Sequence, residues 1–203
     1  MQVYYYISLM KKTTGILLLL FTCFSFCKST IAQNITEQDY YSFLNAIGAT
    51  DSAKSQFISS KSAIEYFHSD SSTVFHGNMP YTNGASDTLF TMADIKFMKQ
   101  QLTRGANYIW KSKKIKWANI IPYKDIDKVF ATHEENTSTA FYKKYPTNIF
   151  YDYSIPLFST SKLLCAIYIG SYCGGLCGSG AFYIYENKGG KWVLIRYYHL
   201  WVS

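Results

Sequence analysis

The sequence is short of charge, of histidine and of long apolar runs, and each shortage narrows what the chain can do. Charged residues make up 16% of it, with a formal net charge of +7. Lys11, Lys12 and Lys28 supply three of those charges in a segment with no acid before Glu37, so the balance beyond it falls to +4. That is too mild for a nucleic-acid partner. The four histidines, His68, His76, His133 and His199, are scattered, and none sits near the cysteines at metal-ligand spacing, which argues against zinc. His133-Glu134-Glu135-Asn136-Thr137 opens like a zinc-peptidase helix but has Thr137 where the second imidazole must be. No Gly-x-Ser-x-Gly elbow, internal repeat or low-complexity tract occurs. Asp125, Asp127, Glu134 and Glu135 read as the wet face of short helices in preference to an acid/base pair. No cofactor or metal is expected, and catalysis is the lesser reading.

What is present is aromatic: Phe, Trp and Tyr form 18% of the chain, the composition of a packed domain and far from that of a disordered one. The N-terminus has the three zones of an export signal. Lys11 and Lys12 give a positive region, Gly15 to Cys27 an uncharged apolar stretch, and Thr30-Ile31-Ala32 a small-x-small exit. Lys28 closes the apolar stretch short of the about 20 residues a spanning helix needs. Met10, followed by two lysines, makes a more usual start than Met1. Phe26 and Thr22 precede Cys27 and Cys23 where a lipid-attachment site wants a small residue, so a lipoprotein anchor is disfavoured. The expectation is a signal peptide at 1–32 and a single α+β domain at 33–203, located in the periplasm, at the cell surface or in the medium.

Along that domain, helices precede strands. Thr36-Glu37-Gln38-Asp39 resembles a capping box, with Tyr40, Phe43, Leu44 and Ile47 at helical spacing. Asp51 can cap a second helix carrying Phe57, Ile64 and Phe67. Ser69 to Ser86 is dense in turn residues and reads as a loop. Thr91 to Asp94 repeats the box ahead of Ile95, Met98 and Leu102, and Ile115 to Ile121 reads as extended up to Pro122. Short helices follow at Asp125 to Phe130 and Thr137 to Tyr145. Then Ile149 to Phe158, Leu163 to Tyr172, Ala181 to Tyr185 and Lys191 to Tyr197 are β-branched and aromatic, divided by turns such as Asn187-Lys188-Gly189-Gly190. The pattern predicts short N-terminal helices packed on one face of a C-terminal antiparallel meander.

Between two of those strands lies Tyr172-Cys173-Gly174-Gly175-Leu176-Cys177-Gly178-Ser179-Gly180. With Ser154-Ile155-Pro156-Leu157-Phe158 before it, Gly190-Lys191-Trp192 and Trp201-Val202-Ser203 after it, and Asp94-Ile95-Lys96-Phe97-Met98 leading to Gln101, the stretch Thr91 to Ser203 resembles a group of uncharacterised exported proteins of Bacteroidetes-type bacteria. The resemblance implies a bacterial source and an envelope location, and no activity.

Cys165 and Cys173 stand eight apart, roughly 26 Å in an extended strand, so they cannot pair in that geometry. A Gly-Gly reversal brings Cys173 and Cys177 within disulfide reach, leaving Cys165 as a buried thiol. A redox centre would want Cys-x-x-Cys spacing and a nearby cation, and a phosphate loop would want a helix after the glycines; neither is present. Trp110-Lys111-Ser112-Lys113-Lys114-Ile115-Lys116-Trp117 interleaves cations with aromatics. On an exposed strand, Trp110, Lys111, Lys113, Lys114, Lys116 and Trp117 could grip an anionic or carbohydrate polymer; the plainer account is a solvated edge whose tryptophans anchor the core. The glycosylation acceptors at Asn34 and Asn136 are idle in a bacterium. Function therefore reads as a non-catalytic envelope or secreted module whose partner is a polysaccharide or a surface protein. The alternative is an extracytoplasmic hydrolase or thiol-redox enzyme using His68, His76 or the Cys173/Cys177 pair.

Overall fold

Thr36 starts the first helix by exchanging hydrogen bonds with Asp39: its backbone N–H donates to the carboxylate at 2.7 Å, and its hydroxyl oxygen accepts from the Asp39 N–H at 3.3 Å. The structure, a computed structural model, describes residues 34–48, 56–67, 89–132, 135–173 and 177–203. The signal expected at 1–32, the cap at Asp51 and the loop Ser69 to Ser86 lie outside the described residues. The elements are α1 (Glu37–Gly48), β1 (Gln56–Ser59), α2 (Met92–Gly105), β2 (Ala118–Ile121), α3 (Tyr123–Thr132), α4 (Glu135–Lys144), β3 (Phe150–Tyr153), β4 (Leu157–Phe158), β5 (Leu164–Tyr172), β6 (Gly178–Lys188) and β7 (Lys191–Val202). Among the described residues no helix is long and apolar enough to cross a membrane.

The strands form one mixed seven-stranded sheet in the order β2-β1-β3-β5-β6-β7, with β4 also on β5. From β3 onward every pairing is antiparallel, and β6 turns into β7 through Gly189 and Gly190, both at positive φ (60° and 88°), the conformation a two-residue hairpin loop demands. The expected meander holds only there. β1 pairs in parallel with both β2 and β3. Parallel neighbours need long crossovers, and the connections out of β1 and β2 carry the helices. Phe57, expected on a helix, lies on β1, where it pairs with Asn119 and Phe150. The expected strand Ile149 to Phe158 is broken at Ser154-Ile155-Pro156, where the Ser154 hydroxyl accepts from the Tyr168 N–H at 2.9 Å and replaces a ladder bond.

Helices cover both faces of the sheet, not one. Strand partners share a face, so Cys165, Tyr185 and Trp192 lie on one side together with Phe158. There the ring of Phe43 from α1 meets Phe158, Tyr185 and Trp192 edge-on, 5.0–5.8 Å between centroids. Phe57, Phe150 and Ile121 lie on the other side, where Ile126 of α3 and Phe141 of α4 close a second, smaller core. The reason is topological: a parallel crossover has to pass over the sheet, and α3 and α4 make that passage between β2 and β3. α2 docks on β4 instead of on a face. Gln101 donates to the Phe158 carbonyl at 2.7 Å and accepts from its N–H at 3.0 Å, acting as a strand partner made from a side chain. Asp94, the capping-box acid of α2, also accepts from the Thr160 N–H and hydroxyl at 2.8 and 2.7 Å, fixing the chain just after β4.

Candidate functional site

Cys173 and Cys177 are joined as a disulfide across a turn with their Cα atoms 5.2 Å apart, and Cys165 is a buried free thiol. The Cys173 N–H donates to the Cys177 carbonyl at 3.0 Å. Gly178 and Ser203 exchange backbone hydrogen bonds, so the stapled turn also holds the end of β7. The bond is made, so neither sulfur is a free thiolate in this structure.

The side chains beside that turn form the most chemically dense cluster among the described residues. On β5, Tyr168, Gly170 and Tyr172 share a face because strand side chains alternate. Gly170 pairs with Asp152 and Tyr172 with Phe150, which places Asp152 on that face, and Ser59 follows from the parallel register of β1. Gly170, Gly178 and Gly180 leave room: a Cβ on Gly170 would come 2.9 Å from the Tyr168 hydroxyl, and one on Gly180 would overlap both that hydroxyl and the Trp201 indole. Tyr66, on a helical turn at 65–67, lies flat on Tyr168 with centroids 4.1 Å apart and planes 14° apart. Tyr172 stacks on Phe150 at 5.2 Å and stands 5.6 Å from Trp201.

Hydrogen bonds run through these rings. The Trp201 indole N–H donates to the Tyr168 oxygen at 3.1 Å, and the Tyr66 and Tyr172 hydroxyls are 3.1 Å apart. The Asp152 carboxyl accepts from Ser59 and Tyr172. Burial pushes Asp152 up to about 6, helped by the nearby Glu65 carboxylate and opposed by Ser59, Lys61 and Tyr172. Burial also raises Tyr168 and Tyr172, so both phenols stay protonated and able to donate. Asp152 nonetheless keeps some contact with solvent, as do Tyr66, Tyr172 and Trp201. The arrangement is a half-buried carboxyl bonded to two hydroxyls, next to aromatic rings whose Tyr168 hydroxyl and Trp201 indole occupy the space left by the glycines.

The Trp110 to Trp117 segment is built differently from an extended edge. Lys111 to Trp117 is a turn, with Lys113 at φ 71°, and strand geometry begins only at Ala118. Trp110 is 2% exposed, and its indole N–H donates to the Tyr153 carbonyl at 3.1 Å. Trp117 is partly buried and donates to the Leu44 carbonyl at 2.9 Å, its ring lying where a Cβ on Gly48 would fall. The tryptophans thus point into the fold while Lys111, Lys113, Lys114 and Lys116 stay in solvent, Lys111 in an ion pair with Glu37 at 2.8 Å. His68, His76 and His133 lie outside the described residues, and His199 is exposed on β7.

Of the expected site residues that are among the described residues, the structure brings together only Cys173 and Cys177. Sequence reasoning missed Asp152, Tyr66, Tyr168, Tyr172 and Trp201, although two signals bear on them: an acid inside the aromatic run Phe150-Tyr151-Asp152-Tyr153, and glycines alternating through two otherwise strong strands. Compared with known proteins, the chain matches no family model, no curated protein and no solved structure.

Proposed function

We propose that the chain is an exported, non-catalytic module of a bacterial envelope that binds a surface polysaccharide at the Asp152 cluster. One observation carries this reading: the half-buried Asp152 bonds the hydroxyls of Tyr172 and Ser59, with the partly exposed Tyr66 and Trp201 adjoining Tyr172 and the Cys173–Cys177 disulfide directly after it. Aromatic faces stack on the C–H faces of sugar rings, and the hydroxyls and carboxylate match sugar hydroxyls. The export signal read at 1–32 and the resemblance to exported Bacteroidetes-type proteins agree with a disulfide, which persists in oxidising compartments. The test is a glycan array and envelope-fragment pull-down with the exported chain, alongside Asp152→Asn and Trp201→Ala. Retention by the wild type and at least a tenfold loss in both variants, measured well below each variant's melting temperature, supports the module. Retention that ignores both changes rejects this site.

A second reading is favoured by Asp152 alone. A carboxyl at about 6 has the range of a general acid, so the alternative is a hydrolase in which Asp152 donates a proton. Release of shortened oligosaccharide from a bound polymer, abolished by Asp152→Asn, selects the enzyme; recovery of the polymer intact selects the module.

A further inference from the structure

We infer that the group recognised at this cluster is a primary ammonium carried by an amino sugar, so that the polysaccharide is one bearing free amines; the inference rests on the binding reading above. Its first support is a charge without a counter-charge. Among the described residues no lysine or arginine forms an ion pair with Asp152. The cation that acts on it, Lys61, is shared with Glu65 at 4.0 Å. A carboxylate in such a place is costly when empty and gains from an incoming cation, whereas a neutral sugar leaves the charge uncompensated.

The second support is the surroundings. The partly exposed rings of Tyr172, which bonds Asp152, and of Tyr66 and Trp201, which adjoin Tyr172, stand beside the carboxyl, with Tyr168 fully buried under Tyr66, and aromatic faces attract an ammonium through the ring quadrupole. Ser59 and the tyrosine hydroxyls present oxygens that can accept ammonium N–H bonds, while Trp201 and the remaining hydroxyl protons suit the sugar's own oxygens. An acidic sugar is disfavoured, because Asp152 and Glu65 would repel it.

Binding then needs Asp152 ionised. The groups facing it are Ser59 from β1, Lys61, Glu65 and Tyr66 from the segment after β1, and Tyr168 and Tyr172 from β5. With the phenols neutral, the carboxyl sets the profile on the acid side. The sugar ammonium loses its own proton near neutrality and sets the alkaline side, so affinity should rise about fivefold from pH 5 to pH 6.5 and fall again at higher pH.

The experiment is calorimetric titration of the exported chain with glucosamine oligomers and with the same oligomers N-acetylated, at pH 5 and pH 6.5, with a lysine-rich peptide as a third ligand. The expected result is at least tenfold tighter binding of the free-amine oligomer at pH 6.5, a preference that shrinks at pH 5 and disappears in Asp152→Asn. Equal binding of the two oligomers, or a preference that survives Asp152→Asn, overturns the ammonium; if Trp201→Ala still weakens both, the module reading stands. Tighter binding of the peptide than of either oligomer overturns the amino sugar as the source of the amine. No binding to any glycan removes the inference and the module together. The acetylated and free oligomers are compared on the wild type, so the decision does not depend on a variant that folds poorly.

Discussion

The two sides of β5 are built from the same nine residues in opposite ways. On one side Cys165 and Ile167 meet the helix α1 layer as plain volume, and the thiol of Cys165 bonds only to backbone, at the Ala166 carbonyl 3.8 Å away and at Leu157. On the other, Tyr168 and Tyr172 alternate with Gly170, and their rings are held by hydroxyls as much as by contact. The first side is specified by how much space is filled, the second by which oxygen meets which proton. A binding site grows more readily from the second, because hydroxyl geometry can serve a ligand as well as the fold. Substitutions on the two sides should therefore fail in different ways.

The largest effect belongs to the space-filling side. Phe43 is 1% exposed and touches three rings, so Phe43→Ala should cost about 3–5 kcal/mol in chemical denaturation. Ligand affinity measured well below the melting temperature should stay within about twofold. A loss under about 1 kcal/mol would mean that the covering of this face by α1 does not stabilise the sheet.

The hydroxyl side should instead show itself in the pH dependence of stability. The folded Asp152 titrates at about 6, against an ordinary 3.8, because burial penalises its charge. The unfolded chain therefore releases this proton first, and the contribution, fully present below the ordinary value, is lost as pH rises from about 4 to about 6. Two units correspond to about 3 kcal/mol, less whatever the remaining solvent contact screens. Asp94 behaves in the opposite sense. Burial works upward there too, but the Thr91 and Thr160 hydrogen bonds outweigh it, so its contribution is present above the ordinary value and lost as pH falls below it. Subtracting the pH–stability curve of Asp152→Asn from that of the wild type cancels Asp94. The difference should move against the wild type between pH 4 and pH 6, and a flat difference would refute the buried carboxyl.

Much of the space-filling side could be read in the residues, and little of the other. The helical spacing of Tyr40, Phe43, Leu44 and Ile47 announces α1 and its buried face, and the box at Thr91 announces α2. Such signals are local, with a period set by the backbone. β1 carries no comparable signal, because four residues with Gln56 and Ser59 at their ends have no clear alternation, and only pairing with β2 and β3 makes them a strand. Asp152 had the same difficulty. It lies near Ser59, Tyr66 and Tyr172 only after a parallel crossover and an antiparallel ladder are both in register. Gln101 illustrates it too: the residue stood out within the Asp94 to Gln101 stretch, but its bonds to Phe158 reach 57 positions along the chain.

Between the two sides in expected effect is the turn that borders the cluster. The disulfide closes a short loop, so Cys173→Ala with Cys177→Ala should lower stability by on the order of 2 kcal/mol. If the turn only staples, affinity at a permissive temperature persists. If it also positions Tyr172 and Trp201, affinity at that temperature falls together with stability, and the turn belongs to the site. Titration of residues 33–203 in denaturant should find one thiol, that of Cys165.

The smallest effect is the most telling for the comparison. Tyr66→Phe keeps the ring that lies 4.1 Å over Tyr168 and removes only the hydroxyl facing Tyr172. Its expected cost is about 1 kcal/mol, the net worth of one hydrogen bond. Tyr172→Phe should cost more, because that hydroxyl also donates to Asp152 and its loss leaves the carboxyl with Ser59. In a double-mutant cycle the pair should couple by about 0.5–1.5 kcal/mol. Coupling near zero would make the stacked rings, not their oxygens, the organising element. The two sides of β5 would then differ in shape alone, and the case for a ligand site among the hydroxyls would lose its footing.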